Sequence, residues 1–197
     1  MGQISPQAEN QLRQVFKSFN RFMLILWQLG LGTWFKFFPK VTGQVMVITH
    51  SGRKSSVKHR TPVNYAMVNG EIYCTAGFGA RADWYRNIQA NPDVEVWLPD
   101  GWYTGIAEDI SSSPDRLFLM RQVLIGSGFA AYLFGVPPNM TDERLANLTE
   151  NYRLIHIRLK EPRTGSGGPG DLAWIWPLAT FILLPLALKR CKRGKCN

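Results

Sequence analysis

Residues 45–62 read VMVITHSGRKSSVKHRTP. The opening Val45-Met46-Val47-Ile48-Thr49 is an apolar, mostly β-branched run, the composition of a strand. Ser51-Gly52 predicts a turn. Arg53, Lys54, Lys58 and Arg60 then put four cations into eight residues, with His59 among them. A strand that ends in a glycine turn and hands over to clustered Lys and Arg can hold an anion. Glycine lets the backbone come close and offer its N–H groups, arginine adds a two-pronged donor, and lysine adds a point charge. The same pattern also fits a solvated, basic hairpin turn.

Working outward, the period stays that of strands. Residues 57–68 form a second strand in which Pro62 marks an edge or bulge. Asn69-Gly70 predicts a type I′ hairpin, and residues 71–76, EIYCTA, return as a third strand. Gly77-Phe78-Gly79-Ala80-Arg81 reads as a loop and residues 83–89 as a short helix stopped by Asn91-Pro92. Strands follow at 94–98 and 102–110, joined by Pro99-Asp100-Gly101. Ser113-Pro114-Asp115 starts a helix that runs to about Ile125, and Thr141-Asp142-Glu143 starts another. The alternation in residues 152–160, YRLIHIRLK, gives a last strand. Six strands joined largely by hairpins predict a mainly β fold with peripheral helices, a small closed or half-open barrel over residues 43–161.

The flanks differ from the barrel. In residues 1–42, Leu12, Val15, Phe16, Phe19, Phe22, Met23, Leu26 and Leu29 recur at helical steps. Trp27, Trp34, Phe35, Phe37 and Phe38 make this segment strongly apolar, with Lys36 and Lys40 at its edge. It reads either as a helix packed on the body or as one lying on a membrane. Residues 162–171 are rich in Gly and Pro and read as a flexible linker. Residues 172–188, LAWIWPLATFILLPLAL, hold 17 residues without a charge, the short limit for crossing a bilayer core of roughly 30 Å. Lys189, Arg190, Lys192, Arg193 and Lys195 follow, and such an end stays on the cytoplasmic side. The expectation for 172–197 is a membrane anchor that dips into the inner leaflet, set against a tail folded onto the barrel.

The composition is that of a folded chain: 197 residues, 45% hydrophobic and 12% aromatic. The net charge of +9 shrinks to +4 without the five terminal cations, and no nucleic-acid-binding motif accompanies it, so nucleic acid is not an expected partner. Cys74, Cys191 and Cys196 form no CxxC or zinc pattern, which points to a reducing compartment and no metal site. The polar start, MGQISPQAENQ, reads as lacking a secretory signal.

Three segments in order carry a resemblance. They are the strand, GRKS turn and basic TP stretch of 49–62; the Asn69-Gly70-Glu71-Ile72-Tyr73 hairpin; and Ala76-Gly77-Phe78-Gly79 followed by Ala82-Asp83-Trp84-Tyr85-Arg86-Asn87-Ile88 and Asn91-Pro92. Together, over roughly residues 43–160, the chain resembles the deazaflavin-dependent nitroreductases among the flavin- and deazaflavin-binding split β-barrel oxidoreductases. It departs from their pattern at Ser56, where a Gly is usual, at His59, where an Arg is common, and at Ala76, where a Ser often stands.

The resemblance implies a split β-barrel and coenzyme F-420, whose phosphate and glutamate tail make it a polyanion. Arg53, Lys54 and Ser55 would then meet the phosphate, and Arg60 and Lys58 the tail carboxylates. Pro62, Ala76, Gly77, Phe78 and Gly79 would line the approach, and Trp84 and Tyr85 would wall the pocket, although Trp84 fits the core equally well. Tyr65 and Tyr132 are the candidate proton donors to a developing oxyanion. The implied reaction is hydride transfer to a small apolar acceptor, a quinone or a nitro compound, at the cytoplasmic side of the cell membrane. FMN in the same barrel and a non-enzymatic, membrane-tethered cofactor- or haem-binding protein are the alternatives. Barrels of this kind often pair, so a homodimer is also expected.

Overall fold

The computed structural model describes residues 18–36, 43–133 and 135–193; Leu12, Val15, Phe16, Phe37, Phe38 and Lys40, expected on the N-terminal apolar segment, lie outside them. Among the described residues six strands close into one antiparallel barrel. They are β1 (Val45–Ser51), β2 (Lys58–Val68), β3 (Glu71–Ala76), β4 (Asp93–Leu98), β5 (Gly101–Asp109) and β6 (Arg153–Pro162), in the order β1-β2-β3-β6-β5-β4. Closure comes from β1, which pairs with β2 along its length and with β4 through Val47↔Trp97, Ile48↔Val96 and Thr49↔Glu95. Asn69 and Gly70 both take positive φ between the paired Val68 and Glu71, the two-residue turn that the sequence predicts.

β1 is apolar at almost every position because both of its faces are covered. Met46 and Ile48 point into the barrel with Val63, Ile72, Val96 and Ile157. Val47 points outward, into a second cluster with Trp27, Trp97 and Trp102. β3 is covered less evenly and alternates, with Ile72, Cys74 and Ala76 buried and Glu71, Tyr73 and Thr75 partly open. The helix over residues 18–28 (α1) supplies Trp27, which is 1% exposed. Helix α2 (Asp83–Ala90) closes the end of the barrel where β1 gives way to β2, through Tyr85 and Ile88. Helices α3 (Arg116–Gly126), α4 (Phe129–Leu133) and α5 (Asp142–Leu148) cover the outer face of β2, β3 and β6.

Residues 163–170 are not the free linker that their Gly and Pro content suggests. Arg163 donates its N–H to the Trp102 carbonyl at 2.7 Å, lays its guanidinium 4.8 Å from the Trp102 ring and meets Glu95 at 2.5 Å. Gly167 accepts from Arg60 at 2.6 Å, and Gly168 lies so close to Trp102 that a Cβ there would come within 2.7 Å of its ring. The small residues serve close approach to indole rings, which makes this stretch a strap. It delivers the chain to α6 (Ile175–Arg193). Among the described residues no helix is long and apolar enough to cross a membrane.

Gly126 ends α3 against the barrel: a Cβ there would lie 2.4 Å from the Tyr65 carbonyl oxygen, and its own carbonyl accepts from Gln44 at 2.6 Å. Gly126→Ala is therefore expected to destabilise the fold by about 2 kcal/mol, read as a lowered denaturation midpoint in urea.

Candidate functional site

The turn between β1 and β2 folds on itself. Gly52 donates to the Val57 carbonyl and Ser56 to the Gly52 carbonyl, both at 2.8 Å, while the Ser55 hydroxyl accepts from Val57 at 3.4 Å. Ser56 holds φ at +54°, the left-handed conformation for which glycine is the easier residue. Gly52 leaves no room for a Cβ, which would come 2.7 Å from the Ser55 hydroxyl. Two amide N–H groups, those of Lys54 and Ser55, have no acceptor among the described contacts. The Lys54 side chain is exposed and enters no ion pair among the described residues.

Arg53 has a different role from its neighbour. Its backbone N–H donates to Asn87 Oδ1 at 3.2 Å, and its guanidinium reaches the same oxygen at 3.1 Å and Asp83 Oδ1 at 3.3 Å. Asn87 is buried on α2 and turns its amide nitrogen to His50 Nδ1 at 3.2 Å. Because Oδ1 already receives two donors, the nitrogen must face His50, so His50 Nδ1 accepts and its proton sits on Nε2. From there it donates to the Thr61 hydroxyl at 3.2 Å. Burial, helped by His59 stacked at 5.9 Å, lowers the His50 pKa from 6.5 to about 4. One chain of contacts, Arg53–Asn87–His50–Thr61, thus ties the basic turn to α2 and to both strands it joins.

Lys58 and Arg60 turn away from the loop to the outer face of the barrel. Lys58 meets Glu95 at 2.7 Å, and the Arg60 guanidinium lies 4.7 Å from the Trp97 ring while donating to Gly167. Beside them is a cleft of about 340 Å³ lined by Thr49, His50, Lys58, Glu95, Thr104 and Arg163, among others. The Thr49 hydroxyl is buried there and has no partner among the described residues. An exposed pair such as Lys58–Glu95 contributes about 0–1 kcal/mol, so Lys58 can exchange its partner for an incoming anion at little cost. The Arg60 ties to the strap are less dispensable.

The glycine loop enters α2 from the other side. Gly79 takes φ of +57° and lies against the Asn151 carbonyl, which a Cβ would approach to 2.2 Å. Its role is packing. A Cβ on Gly77 would meet nothing nearer than 3.7 Å, and Phe78 is 41% exposed. Ala76 and Tyr85 face the core, Trp84 packs on it half-buried, and Pro62 is half-buried on β2. The Tyr85 hydroxyl donates to Asp109. Burial, then that hydrogen bond, pushes its pKa up to about 12, and the bond fixes α2 to β5.

The two tyrosines expected as proton donors are not brought to the turn. Tyr65 lies in the barrel core, 8% exposed, with its pKa pushed up to about 12 by burial and then by Asp100. It lies seven positions along β2 from Lys58, about 23 Å of extended chain. Tyr132 is exposed on α4. That helix follows Ser127, whose carbonyl lies beside Gly43 at the barrel end away from the turn. Asn87 and Thr49 were the less legible members. Asn87 is a polar residue on the buried face of a short helix, and Thr49 interrupts an apolar strand.

A family model described as F420H(2)-dependent quinone reductase matches residues 31–141, more than half of the 197. The chain belongs to that family. It is an oxidoreductase family defined by a reduced deazaflavin, and the match lends nothing to FMN. Among solved structures, the F420-H2 dependent reductase FDR-A is similar at 20% identity and a TM-score of 0.43, over 59% of this chain and 94% of that one. The conserved hypothetical protein Rv2991 from Mycobacterium tuberculosis is similar at 20% identity and a TM-score of 0.46, over 64% and 86%. A heme binding protein from Mycobacterium smegmatis is similar at 12% identity and a TM-score of 0.45, over 74% and 59%. No curated protein sequence matches significantly.

The His50 geometry has a consequence for stability. Below pH 6.5 the unfolded chain takes up a proton on His50, while the folded chain leaves it neutral down to about 4. Stability from this residue therefore falls as the pH drops from 6.5 to 4 and changes no further below that. Urea unfolding across that window should show a shallower loss in His50→Gln than in the parent protein; equal slopes would mean that His50 is protonated in the fold.

Proposed function

We propose that the chain is an F420H(2)-dependent reductase that delivers reducing equivalents to a quinone at the cytoplasmic side of the cell membrane. The observation that carries this reading is the turn at 52–57. It combines two N–H groups without acceptors, the exposed Lys54 ammonium and the Ser55 and Ser56 hydroxyls in one exposed loop. This donor set suits a phosphate, and it is held by the Arg53–Asn87 tie and does not have to be assembled on binding. The residues present therefore fit the family's coenzyme.

In this reading Lys54 and the turn amides hold the phosphate of the coenzyme. Arg53 adds positive charge from the side but spends its hydrogen bonds on α2. Lys58, released from Glu95, takes a carboxylate of the tail, and the buried Thr49 hydroxyl gains an acceptor in the same cleft. Arg60 keeps the strap in place beside them. Phe78 and the half-buried Trp84 offer apolar surface next to Gly77, where the loop leaves room. When bound, the reduced deazaflavin supplies a hydride. Tyr65 is withdrawn as a proton donor, since it lies in the barrel core, seven positions along β2 from Lys58. A quinone is favoured over a nitro compound by the family and by the apolar surface at both ends of the described chain. The membrane location rests on that surface and on the basic end of the sequence. A homodimer is compatible with the reading and is not needed for it.

Fluorescence titration with the reduced coenzyme tests the site. Lys54→Ala should weaken binding by roughly tenfold, the loss of one charge-assisted contact, and Thr61→Val, which only loosens His50, by less. Unchanged affinity in Lys54→Ala would remove the turn from the binding site. Turnover with a soluble quinone, and none without the deazaflavin, would establish the reaction class.

A further inference from the structure

The two ends of the described chain leave large apolar side chains in the open, and they do so next to each other. On α1, Met23 and Trp27 face the barrel at 5% and 1% exposure, while Phe19, Phe22 and Ile25 stand three residues apart and are at least half exposed. On α6, Leu178, Phe181, Ile182, Leu183 and Leu184 are all exposed, Phe181 at 81%. Four consecutive residues point to all sides of a helix, so no described element covers any side of α6 there. A helix that is apolar all round requires a non-aqueous partner.

The two segments are also joined. Gly170 donates to the Trp27 carbonyl at 2.9 Å, Leu172 to the Gln28 carbonyl at 2.8 Å, and the Trp176 indole to the Leu29 carbonyl at 2.9 Å. Gly30 lies against Gly170 and Ala173 closely enough that a Cβ would touch both. The strap, fixed to Trp102 and Arg60, delivers α6 to this point. Three tryptophans, Trp34, Trp174 and Trp176, are exposed around the junction, and tryptophan is the residue that settles at headgroup depth.

We propose that α1 and α6 act as one docking surface that seats in the plane of an anionic bilayer, at the boundary between headgroups and acyl chains. No described helix is long and apolar enough to cross a membrane; α1, with one buried and one exposed face, suits the headgroup boundary, and α6, apolar on every side, would dip from there into the acyl layer. Charge chooses the occupant: the five cations at 189–195 follow directly on the apolar run and are drawn to an anionic leaflet. A second copy of the chain would bury the same apolar side chains, but a two-fold pairing through α6 brings two such basic ends into one assembly. The inference extends the membrane part of the reading above and is independent of the reductase chemistry.

Co-sedimentation of the full chain with vesicles tests it. Vesicles containing phosphatidylglycerol should bind at least about tenfold better than pure phosphatidylcholine, with the advantage shrinking at high salt. Phe19→Ser/Phe22→Ser/Ile25→Ser should cut binding about tenfold, and Phe181→Ser/Leu184→Ser likewise. The coenzyme titration, unchanged in both variants, reports that the barrel is intact. Full binding by the α1 variant would overturn the composite surface while leaving a membrane anchor in α6. A chain that ignores both vesicles and sediments as a dimer would make this face a contact between copies, with the reductase activity untouched.

Discussion

The arrangement rests on one buried amide. Asn87 accepts two donors from Arg53 with its oxygen and hands a hydrogen to His50 with its nitrogen. Each partner belongs to a different element: the turn, the closing helix and the first strand. A buried carboxamide satisfied on both sides fixes its neighbours more firmly than an exposed ion pair does. It lets the turn point Lys54 and two free N–H groups to solvent without collapsing onto the helix. A carboxylate in place of the amide could not donate to His50 without being protonated, and an apolar residue would orphan the Arg53 backbone N–H and His50 Nδ1. The neutral state of His50 follows from the same geometry, since a protonated ring would oppose one N–H with another.

Barrel closure supports this arrangement. Because β1 pairs on both edges, its end cannot drift, and the loop that leaves it starts from a fixed place. α2 packs over that same end through Tyr85 and Ile88, and the Tyr85–Asp109 hydrogen bond holds the helix to β5. On the outer face, indole rings occupy the space between the barrel and the two chain ends. Arg60 and Arg163 lie against Trp97 and Trp102 and tie down the strap. Arg53 and Arg60, two of the four cations that look like ligand-binding residues in the sequence, are thus partly structural, and Lys54 enters no ion pair among the described residues.

Much of this fold is legible in the sequence because its signals are local. The strand period and the Asn-Gly hairpin each depend on a few neighbouring residues; the helix expected to be capped at Ser113 starts later, with Asp115 at its N-cap and no side-chain capping hydrogen bond. Side-chain direction is not local. Tyr65 and Arg60 lie on the same strand, five residues apart, and therefore face opposite sides of the sheet; one enters the core and the other finds an indole. The glycines of 165–170 read as flexibility because a sequence does not reveal which ring a missing Cβ makes room for. Asn87 stands on a short helix, and its two partner residues, Arg53 and His50, lie 34 and 37 residues away. The basic turn itself is legible in the sequence, but the division of labour between Arg53 and Lys54 required the position of α2.

The most direct test of the proposal that the turn binds an anion is amide hydrogen exchange of the full chain with and without the reduced deazaflavin. Protection should appear at the amides of Lys54 and Ser55, with little change at Arg53, whose N–H is already bonded to Asn87. Protection confined to other parts of the barrel, with Lys54 and Ser55 exchanging as fast as before, would contradict the account.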